Sequence, residues 1–411
     1  MGCNYSSQSL KEKVFEHEQY YAQHKVDSLI RTSYSHYIIK NRRMEKLTDI
    51  ELTSIDTTDP KPRSFYDASA ILIQEDDIET PYGNMHVAIQ GDRSKMPIVT
   101  FHDIGLNHVT CFQGFFSFTE MQPILHHFSV YHINAPGQEE GALHLKPEHD
   151  ALGNPDSLGN RFVYPTMDQL AEAVHHVVEH YGMKRFIGFG VGAGANILSR
   201  YALSHPDSID SLALVNANAT PAGWIEWGYQ KMNSWYLFSG QVTNFTEEYL
   251  LWHWFGKKTR WENHDLITCY KEYMKSVNAQ NLGLFIESYL KRSDLGIVRE
   301  MDLMKKASSR TVKCRSLVLV GDSSPHIDDV VDMNGKMDPS ETDFMKIADC
   351  GGMPLEEQPG KVCEAFLFFL QGMGYIPSLH QTKSAAATIS ANQMNHFNNL
   401  TNPQNVSPQV C

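Results

Sequence analysis

Residues 186–200, Phe-Ile-Gly-Phe-Gly-Val-Gly-Ala-Gly-Ala-Asn-Ile-Leu-Ser-Arg, read as a strand, a sharp turn and a helix. This is the frame of the G-x-S-x-G nucleophile elbow, in which a serine on a strained turn attacks a carbonyl and small neighbours let strand and helix approach closely. Here the frame reads Gly190-Val191-Gly192-Ala193-Gly194, and Gly192 stands where the nucleophile belongs. The steric pattern of the turn is present, and the Oγ that would attack is not.

Acyl transfer at such a turn also needs a base and a group that orients it, arranged along the chain as nucleophile, acid, histidine. The acid slot, past the glycine that ends the penultimate strand, falls on Ser324 in Gly321-Asp322-Ser323-Ser324. A serine cannot hold an imidazolium by charge. The other acid slot, after a strand ending near Val215, offers only Asn216 and Asn218, and the histidine slot falls on Gly352 in Gly351-Gly352-Met353-Pro354. Loss of all three members removes nucleophile, base and orienter together, so conventional serine-hydrolase activity is not expected.

A relocated site would have to draw on Asp322, His326 or the pair His102 and Asp103. That pair lies on the loop where hydrolases place oxyanion donors, and a carboxylate there would repel the developing charge. His102 and Asp103 therefore read as a structural loop, and Asp322 as a turn or helix-cap residue. The competing reading is a pocket bordered by His102, Asp103, Gly192 and Asp322. No metal is expected: His126-His127 and His175-His176 are adjacent pairs with diverging side chains, and His144 and His149 lack a matched ligand set. Gly188 to Gly194 lies too deep in the chain to be a dinucleotide loop, so no cofactor is expected.

Short apolar runs bounded by turn residues predict strands at 85–89, 98–101, 129–133, 185–188, 211–215, 316–320 and 343–347. Helical spacing lies between them, as in Thr166 to Tyr181, where Leu170, Val174, Val177 and Val178 share one face. This alternation predicts a doubly wound, mostly parallel sheet, and the elbow frame at Gly190 to Gly194 makes the expected fold α/β-hydrolase-like. Far more chain than a crossover needs separates Val215 from Ser316, which predicts an inserted helical cap over about 219–305. All six tryptophans fall there, at 224, 227, 235, 252, 254 and 261. They read as internal anchors for the cap, or as an aromatic surface for a partner. Flanking the domain, 71–375, are an N-terminal arm, 1–70, helical in part, and a Ser, Thr, Asn and Gln-rich tail, 376–411, expected to be disordered.

The formal charge of −13, with no Lys and Arg cluster beyond Lys40 to Lys46, argues against a nucleic-acid partner, since such affinity comes from clustered Lys and Arg. Seven cysteines without C-x-x-C spacing fit a reducing compartment. That usage makes the expected location cytoplasmic, and no apolar run approaches membrane-span length, so no membrane crossing is expected. Met1-Gly2-Cys3-Asn4-Tyr5-Ser6 matches the myristoylation pattern M-G-x-x-x-[ST]. Palmitoylation of Cys3 beside myristoylated Gly2 would supply the second anchor needed for stable attachment to the cytoplasmic face of the plasma membrane.

Six segments carry a family resemblance: 102–107 (His-Asp-Ile-Gly-Leu-Asn), 135–138 (Ala-Pro-Gly-Gln) with Gly141, 164–168 (Tyr-Pro-Thr-Met-Asp), 190–194, 321–325 and 348–354. In this order and spacing, from about Asp77 to Tyr375, they resemble the N-myc downstream-regulated family. The resemblance implies α/β-hydrolase-fold proteins that have lost catalysis and act through protein partners in signalling, differentiation or stress responses. It implies a non-enzymatic adaptor or scaffold, with partners met through the cap or tail. Two other readings stay open: a hydrolase with a relocated active site, and a small-molecule or lipid binder using the space above Gly192.

Overall fold

The structure is a computed structural model that describes residues 73–145, 162–223, 237, 240, 242–300, 302–306 and 308–377. The N-terminal arm with Gly2 and Cys3, the tryptophans at 224, 227 and 235, and the tail from 378 on lie outside the described residues. The chain divides into two compact units, 1–70 with 260–275, and 71–259 with 276–411.

The larger unit is organised by an eight-stranded sheet. Its strands are β1 (Gln74–Ile78), β2 (Met85–Gln90), β3 (Met96–Phe101), β4 (Phe128–Asn134), β5 (Phe186–Val191), β6 (Ile209–Val215), β7 (Arg315–Gly321) and β8 (Thr342–Ile347). They lie in the order β1-β2-β4-β3-β5-β6-β7-β8. The pairings β1·β2 and β2·β4 are antiparallel, and every pairing from β4·β3 through β7·β8 is parallel. Central parallel strands are covered on both faces and so read as continuous apolar runs. Every residue of β4 and β5 is buried accordingly. The sequence reading missed β1, because Gln-Glu-Asp-Asp-Ile is a polar edge strand with no apolar run to mark it. Its Asp77 is 2.9 Å from His86 Nδ1 on β2.

Helices cover the sheet. Helix α1 (Met167–His180) opens with a capping box, in which the Thr166 side chain and Gln169 satisfy each other's backbone N–H groups. Its buried Leu170, Val174, Val177 and Val178 form the apolar stripe expected from the sequence. Helix α2 (Ala193–Ser204) springs from the elbow and is buried over nearly its whole length. From it Arg200 donates to Asn196 Oδ1 (2.9 Å), to Asp168 Oδ1 at the start of α1 (2.7 Å) and to Ser293 Oγ (2.9 Å). On the sheet, Phe189 gathers Phe112, Phe115, Phe116 and Phe366 at ring separations of 5.1–6.1 Å. Each such buried ring contributes about 1.5–3 kcal/mol.

The insertion between β6 and β7 contains α3 (Asn244–Glu262), α4 (His264–Met274) and α5 (Ala279–Leu290). Gly256 breaks α3, with φ +70° and ψ −160°. A side chain would be strained at that φ, and a Cβ there would come within 3.1 Å of Pro325 Cδ and the Ser323 carbonyl. The kink thus lets α3 pass close over the loop that follows β7. Trp254 and Phe255, just before it, are buried, whereas Trp252 is 43% exposed. Among the described tryptophans, Trp254 is thus an internal anchor, while Trp252 and Trp261 are exposed. In the smaller unit, α4 is capped by the Asn263 side chain and carries Ile267, Tyr270 and Met274 along one side. Helices α6 (Ile327–Lys336) and α7 (Pro359–Gly372) complete the larger unit.

Candidate functional site

The elbow forms as the glycine pattern requires. Gly192 sits between β5 and α2 with φ +54° and ψ −113°, a conformation that strains any residue with a side chain. A Cβ on Gly190 would lie 2.6 Å from Ala195 Cα, and one on Gly194 would overlap the Phe101 carbonyl. The small residues are therefore needed for strand and helix to meet.

A carboxylate occupies the space above the elbow. A Cβ on Gly192 would overlap the carboxyl group of Asp103, which arrives from the loop after β3. Asp103 Oδ1 accepts from the backbone N–H groups of Ala193 and Ile104, both at 2.8 Å. Ala193 follows the nucleophile position, and in a hydrolase its N–H and one from the loop after β3 receive the oxyanion. Here both donors face a resident negative charge at the N-terminus of α2, where unsatisfied N–H groups and the helix dipole favour an anion. Asp103 Oδ2 pairs with His253 Nε2 of the cap at 2.9 Å, and these side chains are only 5% and 2% exposed. Burial alone would raise the Asp103 pKa; the His253 charge and hydrogen bond, the Ala193 N–H and the nearby His326 together hold it below the usual carboxylate range.

The cap seals the same place. Trp254 Nε1 donates to the Ile104 carbonyl at 2.9 Å, and its indole packs against Gly105. His326 Nε2 lies 2.8 Å from the His253 carbonyl, which requires that nitrogen to carry the proton. His102 lies wholly inside, with Nδ1 2.8 Å from the Asp103 carbonyl and Nε2 accepting from Ala135 N–H at 2.9 Å. Those partners fix the neutral Nδ1–H tautomer, and burial pushes its pKa down to about 4 despite the opposing influence of Asp103. His102 therefore holds two loops together. The neighbouring Cys111 thiol is buried and pushed well above its usual pKa, which leaves it protonated and unsuited to nucleophilic attack.

The other degenerate positions are joined to one another. Ser324 Oγ donates to Asn216 Oδ1 (3.1 Å), and Asn216 Nδ2 donates to the Gly352 carbonyl (2.5 Å). Asn216 holds the left-handed φ of +50°, a region that asparagine tolerates better than most residues. A Cβ on Gly352 would overlap the Trp254 carbonyl, so the cap stands where a histidine side chain would begin. Nearby, Glu357 accepts from Thr259 Oγ1 of α3 (2.6 Å), Gly351 N–H (2.8 Å) and Met353 N–H (3.1 Å). Burial raises its pKa against those three hydrogen bonds.

Of the four residues read as a pocket border, Asp103 and Gly192 meet, with the carboxylate filling the space between them. His102 is committed to the backbone of its neighbours. Asp322 belongs elsewhere: its carboxylate accepts from Cys350 N–H and Asp349 N–H, each at 3.1 Å, and from Ser323 Oγ, tying the turn after β7 to the turn after β8. The first of these bonds does most to lower its pKa. His253, the cap's partner for Asp103, was not singled out in the sequence. Among the described residues, no group of three or more His, Cys, Asp or Glu could hold a metal ion, and no helix is long and apolar enough to cross a membrane.

An elbow at the end of a central parallel strand, a donor loop after β3 and a helical insertion after β6 define the α/β-hydrolase fold. An esterase from Thermogutta terrifontis aligns with 73% of this chain and 98% of its own at TM-score 0.57 and 17% identity. An enol-lactonase from Burkholderia xenovorans aligns with 72% and 100% at 0.54 and 14%. The chain belongs to the Ndr family, whose profile matches residues 75–377. It is 42% identical over 315 residues to Protein NDRG1 of Xenopus tropicalis, covering 76% of this chain and 74% of that one. It is 41% identical over 346 residues to Protein NDRG3 of Xenopus laevis, covering 83% and 86%.

Proposed function

We propose that this chain is a non-enzymatic adaptor or scaffold in intracellular signalling, differentiation or stress response, with the hydrolase fold used as a rigid body for protein partners. The observation that carries the non-enzymatic half is the Asp103 carboxylate, which takes both the nucleophile's space and the oxyanion's donors. An acid and an imidazole are paired there, but the position facing them is Gly192, which has nothing to activate. The adaptor half rests on membership of the Ndr family and on the partly exposed Trp252 of the cap. Partners meet the cap or the C-terminal tail, and acylation of Gly2 and Cys3 brings the cytoplasmic protein to the inner face of the plasma membrane.

Two measurements on protein made in eukaryotic cells test these halves. A fluorophosphonate probe and a p-nitrophenyl ester should give no covalent label and no turnover above the uncatalysed rate; stoichiometric labelling would refute the non-enzymatic reading. Membrane partitioning should be lost in Gly2→Ala and Cys3→Ser variants, with matching changes in intact mass. A wild-type protein of unmodified mass in the soluble fraction would remove the membrane attachment.

A further inference from the structure

The geometry points to a working anion-binding site at the start of α2 whose ligand is part of the chain: we propose that the Asp103 carboxylate is a tethered ligand, and that its occupancy of the site holds the cap closed through His253. Three observations carry this. The donors are preformed, with Ala193 N–H and Ile104 N–H converging on one oxygen at 2.8 Å. The other oxygen is taken by a cap side chain at 2.9 Å, so one carboxylate bridges elbow and cap. The bridge is dry, since Asp103, His253 and Trp254 are all at most 5% exposed.

The consequence is specific to charge and size. A filler side chain would need only volume. A ligand can be replaced by the same chemical group supplied from solution, so the site should accept a small monocarboxylate once the tether is cut. Formate matches the deleted group in Asp103→Ala, whereas the larger propionate overfills the space. Among the described residues, the titratable groups that interact with Asp103 are His253 of the cap, His326 on the loop after β7, Cys111 and His102. None is a carboxylate that would repel formate.

The experiment measures the thermal midpoint of full-length Asp103→Ala, titrated with sodium formate at ionic strength held constant with chloride. The variant should melt about 5 °C or more below wild type, and formate should restore more than half of that loss along a saturable curve. Wild type should respond to formate no more than to chloride, and the Asp103→Ala, His253→Gln double variant, which keeps the backbone donors and loses the imidazole, should recover less than Asp103→Ala alone. A folded Asp103→Ala that ignores formate overturns the proposal. Should that variant fail to fold in either salt, hydrogen exchange on His253→Gln decides: selective loss of protection over 244–255, with the sheet unchanged, supports the bridge, and unchanged protection refutes it. The inference concerns the same site as the non-catalytic reading, yet the two fail separately. Probe labelling of wild type would end that reading, and an absent formate response ends this one.

Discussion

The positions where a hydrolase would carry its triad are filled by two different kinds of chemistry at the two ends of the site. At the elbow, a buried carboxylate, Asp103, satisfies two backbone donors and joins loop to cap through its hydrogen bond with His253. At the acid and histidine positions, a neutral relay runs from the Ser324 hydroxyl through the Asn216 amide to the Gly352 carbonyl. A buried charge must be paired or its desolvation goes uncompensated, whereas a neutral group forfeits little more than its hydrogen bond. The elbow end should therefore be energetically brittle and sensitive to acid, and the other end forgiving.

The largest effect should come from removing the buried carboxylate. Asp103→Ala should lower unfolding free energy by about 3–5 kcal/mol in urea, because it leaves two buried N–H groups and an imidazole unpartnered. A loss no greater than that of Asn216→Ala would erase the distinction between the two ends.

Acid should act next, also at the elbow end. The folded-state pKa of His102 falls from 6.5 to about 4, so between these values the unfolded chain binds a proton that the folded chain excludes. Stability is complete above about pH 6.5 and declines as pH falls towards 4, by about 1.4 kcal/mol per pH unit at most and on the order of 3 kcal/mol in all. His132, buried and lowered to about 3, adds a slope of the same sign. The lowered pKa of Asp103 acts further down: its contribution is present above the ordinary carboxylate value and lost as pH falls below it. Urea midpoints that stay flat from pH 7 to 4.5 would contradict this assignment of protons.

The neutral end should show the smallest changes. Asn216→Ala should reduce stability by about 2 kcal/mol and Ser324→Ala by about 1 kcal/mol, with differences from wild type independent of pH between 5 and 8. A pH-dependent difference would mean that the relay couples to a titrating group.

Local pattern made the elbow legible in the sequence, since five residues around Gly192 specify both the turn and its missing side chain. The parallel core was legible for the same reason, its strands being continuous apolar runs. Asp103 was half legible. Its charge was seen as hostile to an oxyanion, but the carboxylate itself stands in the oxyanion's place. His253 was not legible, because nothing local distinguishes it among twenty histidines and its partner lies in a loop after a different strand. Asn216 stood out only as a missing carboxylate; its bonds to Ser324 and Gly352 depend on three loops meeting, which spacing cannot report. The edge strand β1 escaped because a polar edge carries no periodic signal.

The bridge between Asp103 and His253 spans 150 positions of the chain. Contacts of such separation are rewarded only after the intervening segments have been ordered, so this one should form late. An interaction absent from the transition state acts on escape from the native state rather than on arrival. The bridge should thus behave as a kinetic clasp: Asp103→Ala should steepen the loss of native protein with time, on the unfolding arm of a chevron, and leave the refolding arm nearly where it was.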